Sequence, residues 1–155
     1  MARRRHRLAS DAYAVPGLTW LVTFGTRDRR QRPLGNPTVA AAVLGCFVED
    51  ATHYGARLHL AAIMPDHAHL ILEIADGSLL EVVRNLKSRS TRAAWEQGHV
   101  GALWQPSFYD RGLRGDEFVD VLRYVLENPV RAGLVAHWED YPFIAGLALS
   151  DAPSS

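Results

Sequence analysis

The residues best suited to chemistry lie in one short segment, Met64-Pro65-Asp66-His67-Ala68-His69-Leu70-Ile71-Leu72-Glu73-Ile74. Its composition is that of a strand, in which successive side chains point to opposite faces. One face then carries Ala68, Leu70, Leu72 and Ile74, an unbroken apolar surface for helices to cover. The other carries His67 and His69, followed by Ile71 and Glu73. Two imidazoles at i and i+2 stand roughly 6–7 Å apart at their Cα atoms, close enough to converge on one cation. A His-x-His is equally the pattern of two incidental histidines on a half-buried strand. Two ligands also leave a site incomplete, so a third ligand and a reactive group have to come from another element.

Asp116 to Asn128, DEFVDVLRYVLEN, supplies candidates for both. At ~100° per residue, Phe118, Val121, Leu122, Val125 and Leu126 form one apolar arc. Tyr124 falls off that arc, beside Glu117 and Asn128, and lies one turn from Asn128 on a shared face. Taken alone, this is also how a surface tyrosine covers a helix flank. A phenol, with a pKa of about 10, is a weak nucleophile unless its target is made electrophilic. A divalent cation on a phosphate oxygen does that. Two neutral imidazoles and an amide oxygen would hold such a cation with positions left open. Mixed nitrogen and oxygen ligation suits manganese or magnesium in function, although a bare histidine pair also accepts zinc or nickel.

The rest of the chain must position these groups. Leu18–Thr26 is β-branched and aromatic and predicts a strand. Arg27–Pro37 is a loop, and Thr38 is expected to cap a helix to about Tyr54, closed by Gly55. Arg57–Met64 and Asp66–Ile74 form a hairpin through Pro65-Asp66. Ser78 opens a long helix to about Gln97, Trp104–Arg111 is a further strand, and Asp116 caps the third helix, which ends before Pro129. The order β-α-β-β-α-β-α points to an α+β fold, a ferredoxin-like antiparallel sheet packed by helices. Residues 1–155 read as a single domain, with a basic arm over 1–17 and a disordered tail over 150–155. There are no internal repeats.

Composition narrows the function classes. No apolar run reaches the ~18 residues of a membrane span, and no apolar stretch follows the basic N-terminus to make a secretory signal. Cys46 is the only cysteine, which excludes an internal disulfide and a cysteine zinc site and suits the cytoplasm. Formal net charge is zero, but the positive charge is clustered. Arginines crowd Arg3–Arg7 and Arg27–Arg32. On the second helix Arg84, Lys87 and Arg92 line the side opposite Leu79, Val82, Val83 and Leu86. These groups, Arg3, Arg4, Arg5, Arg27, Arg84, Lys87 and Arg92, are candidate phosphate donors, although solvated helix faces are commonly basic as well. Trp104 and Phe108 suit the core of a strand, or failing that a stacking surface for unpaired bases.

MPDHAHLIL resembles the HUH motif of the IS200-like single-tyrosine transposases. WQPSFYDRGLR followed by YVLENPVRAGLV resembles the later part of that family, above all its REP-associated tyrosine transposase branch. The resemblance runs from about Trp20 to Leu134. It implies an HUH endonuclease fold, with His67, His69 and Asn128 as ligands of Mg2+ or Mn2+ and Tyr124 as the catalytic tyrosine. It also implies cleavage of single-stranded DNA beside a hairpin, leaving a 5′-phosphotyrosine and a free 3′-hydroxyl that later rejoin. The chain departs from the usual pattern in Asp66, where asparagine is customary, and in the small Ala68 between the histidines. Two other functions fit the same residues: a nuclease of the same fold that activates water, and a silent binder of nucleic-acid hairpins with structural histidines. The partner in each case is nucleic acid, with the chain acting as monomer or homodimer.

Overall fold

The computed structural model describes residues 18–150. The basic arm expected over 1–17 and the tail from 151 onwards lie outside the described residues, as do Arg3, Arg4 and Arg5. Strand β1 (Thr19–Gly25) leads into α1 (Pro37–His53). The hairpin β2 (Ala56–Met64) and β3 (His67–Ile74) follows, then α2 (Leu79–Glu96) and β4 (Tyr109–Leu113). After these come α3 (Phe118–Leu126), α4 (Asn128–Arg131), β5 (Ile144–Ala145) and α5 (Leu147–Ser150). The five strands make one sheet in the order β4-β1-β3-β2-β5, with every pairing antiparallel. The first four strands and two helices form the ferredoxin-like unit, and β5 adds an edge to it.

Strand alternation gives this sheet two apolar faces. Trp20, Val22 and Phe24 of β1, with Ala68, Leu70, Leu72 and Ile74 of β3, pack beneath α1 and α2. Leu21, Leu60, Ala62 and Ile71 face the other way and meet Val121 and Val125 of α3. The expected apolar face of β3 is therefore the one that the two long helices bury, and both histidines fall on the α3 side. A β-bulge between Leu58 and Leu60 re-phases β2. Leu58 faces α1 and α2, whereas Leu60, two residues on, faces α3. An extra residue in one strand shifts all later side chains to the opposite face, so β2 reads as a nearly continuous apolar run.

Several element ends differ from expectation, each for a local reason. Asn36, not Thr38, caps α1: its side chain accepts from the Thr38 and Val39 amides, and Pro37 occupies the first turn. Asp116 lies in a 3-10 turn that precedes α3, where the Glu117 carboxylate accepts from the Arg114 N–H at 3.0 Å. The third helix ends at Leu126 and a new one begins at Asn128, because Pro129 has no N–H to continue the ladder. Trp104 makes a single bridge to Thr26, and the paired strand starts only at Tyr109. Strand β5 had no sequence signal.

The C-terminal region docks on the sheet through Tyr141, whose hydroxyl donates to the Ile63 carbonyl at 2.5 Å. Gly146, at φ 146°, lets β5 approach so closely that a side chain there would strike the His59 carbonyl. Burial pushes the Tyr141 phenol up to about 12, above the ordinary phenol value of about 10. A folded-state value above the unfolded one stabilises the fold at lower pH, and that stabilisation is lost as pH rises from 10 through 12. Thermal melts should therefore fall less steeply over that interval in Tyr141→Phe than in the parent. Parallel curves would mean that the phenol does not titrate with folding.

Candidate active site

Register across the sheet assembles the site. Thr23 pairs with His69 and Gly25 with His67 across β1 and β3, while Ala62 and Met64 flank the same two histidines on β2. The imidazoles are 4.7 Å apart at their centroids, with planes at 78°. His67 Nδ1 lies 2.7 Å from Asp66 Oδ1. The other carboxylate oxygen of Asp66 is 3.3 Å from the Arg29 guanidinium. His69 Nδ1 is 2.9 Å from the Thr23 hydroxyl. Asn128, the first residue of α4, brings its amide Nδ2 to 3.3 Å from His67 Nε2.

These contacts fix the state of His67. Burial pushes its pKa down, outweighing the opposing pull of Asp66, so the ring is neutral at neutral pH. Partial burial of Asp66 disfavours its charge, but the hydrogen bond and charge of His67, with Arg29, outweigh this and hold the carboxyl below its usual value. An ionised carboxylate accepts only, so Nδ1 carries the proton and Nε2 presents its lone pair towards Asn128. The amide N–H donates to that lone pair. Rotating the amide about Cβ–Cγ exchanges its oxygen into the same position.

The donor set is two imidazoles and an amide. Among the described residues, no group of three or more His, Cys, Asp or Glu side chains could hold a metal ion. The His67–Asn128 pair meets a narrower test of fit. Two ligands each ~2.1 Å from an octahedral ion stand about 3 Å apart, and His67 Nε2 and Asn128 Nδ2 are separated by 3.3 Å. The Asp66 carboxylate behind Nδ1 is the support that metal-binding histidines usually have.

Tyr124 lies on the same side of the sheet, in α3, and is 47% exposed. The Arg131 guanidinium sits 4.0 Å over its ring and donates to the Tyr124 backbone carbonyl at 2.7 Å. Beside the ring is a groove lined by Leu21, Tyr109, Arg111, Glu117, Val121 and Tyr124 together with Asp120. The structure thus joins His67, His69 and Asn128 in one cluster. Tyr124 is on the shared face, and its hydrogen-bond and ring contacts are with Arg131 rather than the histidines.

The basic residues divide between two layers. Arg27 is exposed just beyond β1, in a loop that clasps the histidine hairpin. Thr26 N–H donates to the Asp66 carbonyl and Leu34 N–H to the Pro65 carbonyl. Arg84 and Arg92 are exposed on α2, which covers the opposite face of the sheet. Lys87, also on α2, donates from Nζ to the Gln105 carbonyl at 2.6 Å and lies 5.8 Å over the Phe24 ring, so it is engaged within the fold. Trp104 and Phe108 are buried in an aromatic cluster around Phe24, which makes them core. Sequence reasoning passed over Thr23, Arg29 and Arg131. Arg29 belonged to a visible arginine cluster and Arg131 to the NPVRAGLV motif, but their partners are set by tertiary packing.

The family model described as "Transposase IS200 like" matches residues 15–128. A REP-associated tyrosine transposase of Escherichia coli K12 is 25% identical over 134 residues, which cover 84% of this chain and 78% of that protein. Among solved structures, a REP-associated tyrosine transposase bound to a REP hairpin superposes with a TM-score of 0.69 at 23% identity, over 93% of this chain and 82% of that one. A crystal structure of a putative transposase from Deinococcus radiodurans gives a TM-score of 0.56 at 22% identity, over 81% of this chain and 95% of that one.

Proposed function

The chain belongs to the IS200-like transposase family, and from that premise we propose that it cleaves and rejoins single-stranded DNA beside hairpins through Tyr124. The observation that carries this reading is the meeting of His67 Nε2 with the Asn128 amide, on the sheet face that α3 covers. His67, His69 and Asn128 would hold Mg2+ or Mn2+. Such an ion supplies Lewis-acid polarisation of the phosphate and stabilises the charge that builds on it.

The protein's own part is positioning. Asp66 holds His67 in the tautomer that turns Nε2 inward, and Thr23 does the corresponding work at His69 Nδ1. Arg131 steadies the Tyr124 ring. The Tyr124 oxygen attacks phosphorus, the bond from phosphorus to the 3′ oxygen breaks, the phenol proton passes to solvent, and the departing 3′ oxygen takes one up from solvent. This leaves a 5′-phosphotyrosine and a free 3′-hydroxyl. Rejoining is the reverse, and needs no nucleotide because the phosphodiester energy is kept in the tyrosine ester.

A DNA hairpin is the partner supported by the REP hairpin in the related structure. The Arg27–Arg32 loop, clasped to the Pro65-Asp66 turn, brings exposed Arg27 and Arg30 to the histidine end of the sheet, where phosphates would pass. The Arg84 and Arg92 stripe would meet DNA only if the strand wrapped to the other layer. No helix among the described residues is long and apolar enough to cross a membrane. We place the protein in the cytoplasm, as a single domain acting as monomer or homodimer.

The direct test is incubation with a labelled single-stranded hairpin and manganese, followed by denaturing electrophoresis. A band of covalent protein–DNA adduct is expected; cleaved DNA without an adduct would favour a hydrolytic nuclease. The support given by Asp66 is separately measurable. Asp66→Ala should weaken manganese binding by roughly 10- to 100-fold in calorimetry. Asp66→Asn, whose amide oxygen still accepts from Nδ1–H, should lose much less. Equal affinities for Asp66→Ala and the parent would remove Asp66 from this role.

A further inference from the structure

We propose that the groove between β4 and α3 seats one unpaired nucleobase, that of the nucleotide adjoining the phosphate which Tyr124 attacks. The proposal rests on the assignment of Tyr124 as nucleophile. The groove has a volume of about 350 Å³, at the lower end of the ~300–1,000 Å³ usual for small-ligand sites. Its floor is Leu21 and Val121, both buried in the smaller apolar core. Tyr109 and Tyr124 contribute aromatic rings, one from the sheet and one from the helix. Arg111 is ion-paired to Glu117, and Glu117 also accepts from the Arg114 N–H, so that wall is set in advance.

An apolar floor, aromatic rings and a guanidinium together take a π face without reading its sequence. Charge selects the neutral part of a nucleotide. Arg111 is balanced by Glu117, which leaves the Asp120 carboxylate as the unbalanced charge in the lining. A phosphate is repelled there; a base is not. The location is also right. Tyr109 pairs with Thr23 and Thr23 with His69, which sets Tyr109 two strand spacings, ~10 Å, from the histidine row on the same face. A base drawn out of its stack must find new surfaces, and Tyr124 itself lines this groove.

The test uses a fluorescent DNA hairpin with an unpaired 5′ flank, in which a single abasic site is walked through the flank, with binding read by anisotropy. At one flank position the abasic site should cost the parent protein about tenfold in affinity. Tyr109→Leu should bind the intact flank about tenfold more weakly and lose nothing further at that position. Tyr109→Phe, which keeps the ring, should restore the affinity. Losses that multiply at every position, or a phenylalanine variant as weak as the leucine one, overturn the proposal. In the unsubstituted protein, 5-iodouracil at the sensitive position should photocross-link to Tyr109, and a cross-link confined to other residues likewise overturns it. Adduct formation is scored separately on the same DNA. Coupling without an adduct leaves the base site standing and removes the Tyr124 assignment; an adduct without coupling does the reverse.

Discussion

Tyr124→Phe should abolish covalent attachment to DNA, lowering cleavage on the order of 10³-fold or more, and should leave the fold and hairpin affinity intact. The substitution removes one oxygen. The ring remains beneath Arg131, whose hydrogen bond goes to the Tyr124 backbone carbonyl and not to the hydroxyl. The aromatic contact at 4.0 Å is likewise kept. A half-exposed site with its packing preserved should change stability by no more than ~0.5 kcal/mol. Loss of chemistry therefore cannot be ascribed to unfolding. Cleavage at the parental rate would transfer the role of nucleophile to water and leave Tyr124 as a wall of the groove.

The second large effect is expected at the histidines. His67→Ala and His69→Ala should each lose detectable manganese uptake in calorimetry, and cleavage with it, while melting within a few degrees of the parent. The separation of faces explains why. Ala68, Leu70, Leu72 and Ile74 pack under α1 and α2 and are untouched by either change. Asp66 keeps its ion pair with Arg29 when His67 is removed, so no buried carboxylate is left unpaired. His67→Ala also takes away the group that Asn128 faces, so it removes two of the three prospective ligands from their present geometry. His69→Ala leaves that pair in place and costs Thr23 a partner. Collapse of the melting transition in both variants, with manganese uptake unchanged in a milder His69→Asn variant, would make the histidines structural.

How much of this was legible in the sequence depended on whether the cause was local. The two faces of β3 follow from strict alternation over Ala68–Ile74, and the structure keeps every residue on its expected side. The α2 cap at Ser78 was equally local, and its side chain accepts from the Glu81 N–H. The α1 cap was also local but misread, because Asn36-Pro37 is a stronger start signal than Thr38. The β2 bulge at His59 was hidden, since an apolar run long enough to be buried on both faces carries no phase. Strand β5, two residues long, exists only because Tyr141 and Gly146 bring it against β2. The site divides in the same way. His67 and His69 were visible as a pair, and Asn128 as a neighbour of Tyr124 on a helix wheel. The wheel assumed a continuous helix. Pro129 breaks it, so Asn128 turns to His67 while Arg131 folds back over Tyr124, and neither contact could be drawn from periodicity.

In the proposed reaction one oxygen atom, that of Tyr124, carries the DNA between cleavage and rejoining. Mass spectrometry of the adduct formed with a labelled hairpin and manganese, after digestion of protein and DNA, tests this most directly. A single modified peptide containing Tyr124, joined through its phenolic oxygen to a 5′-phosphate, is expected. A nucleotide on Tyr109 or any other residue, or cleaved DNA bearing a free 5′-phosphate with no modified peptide, would contradict it.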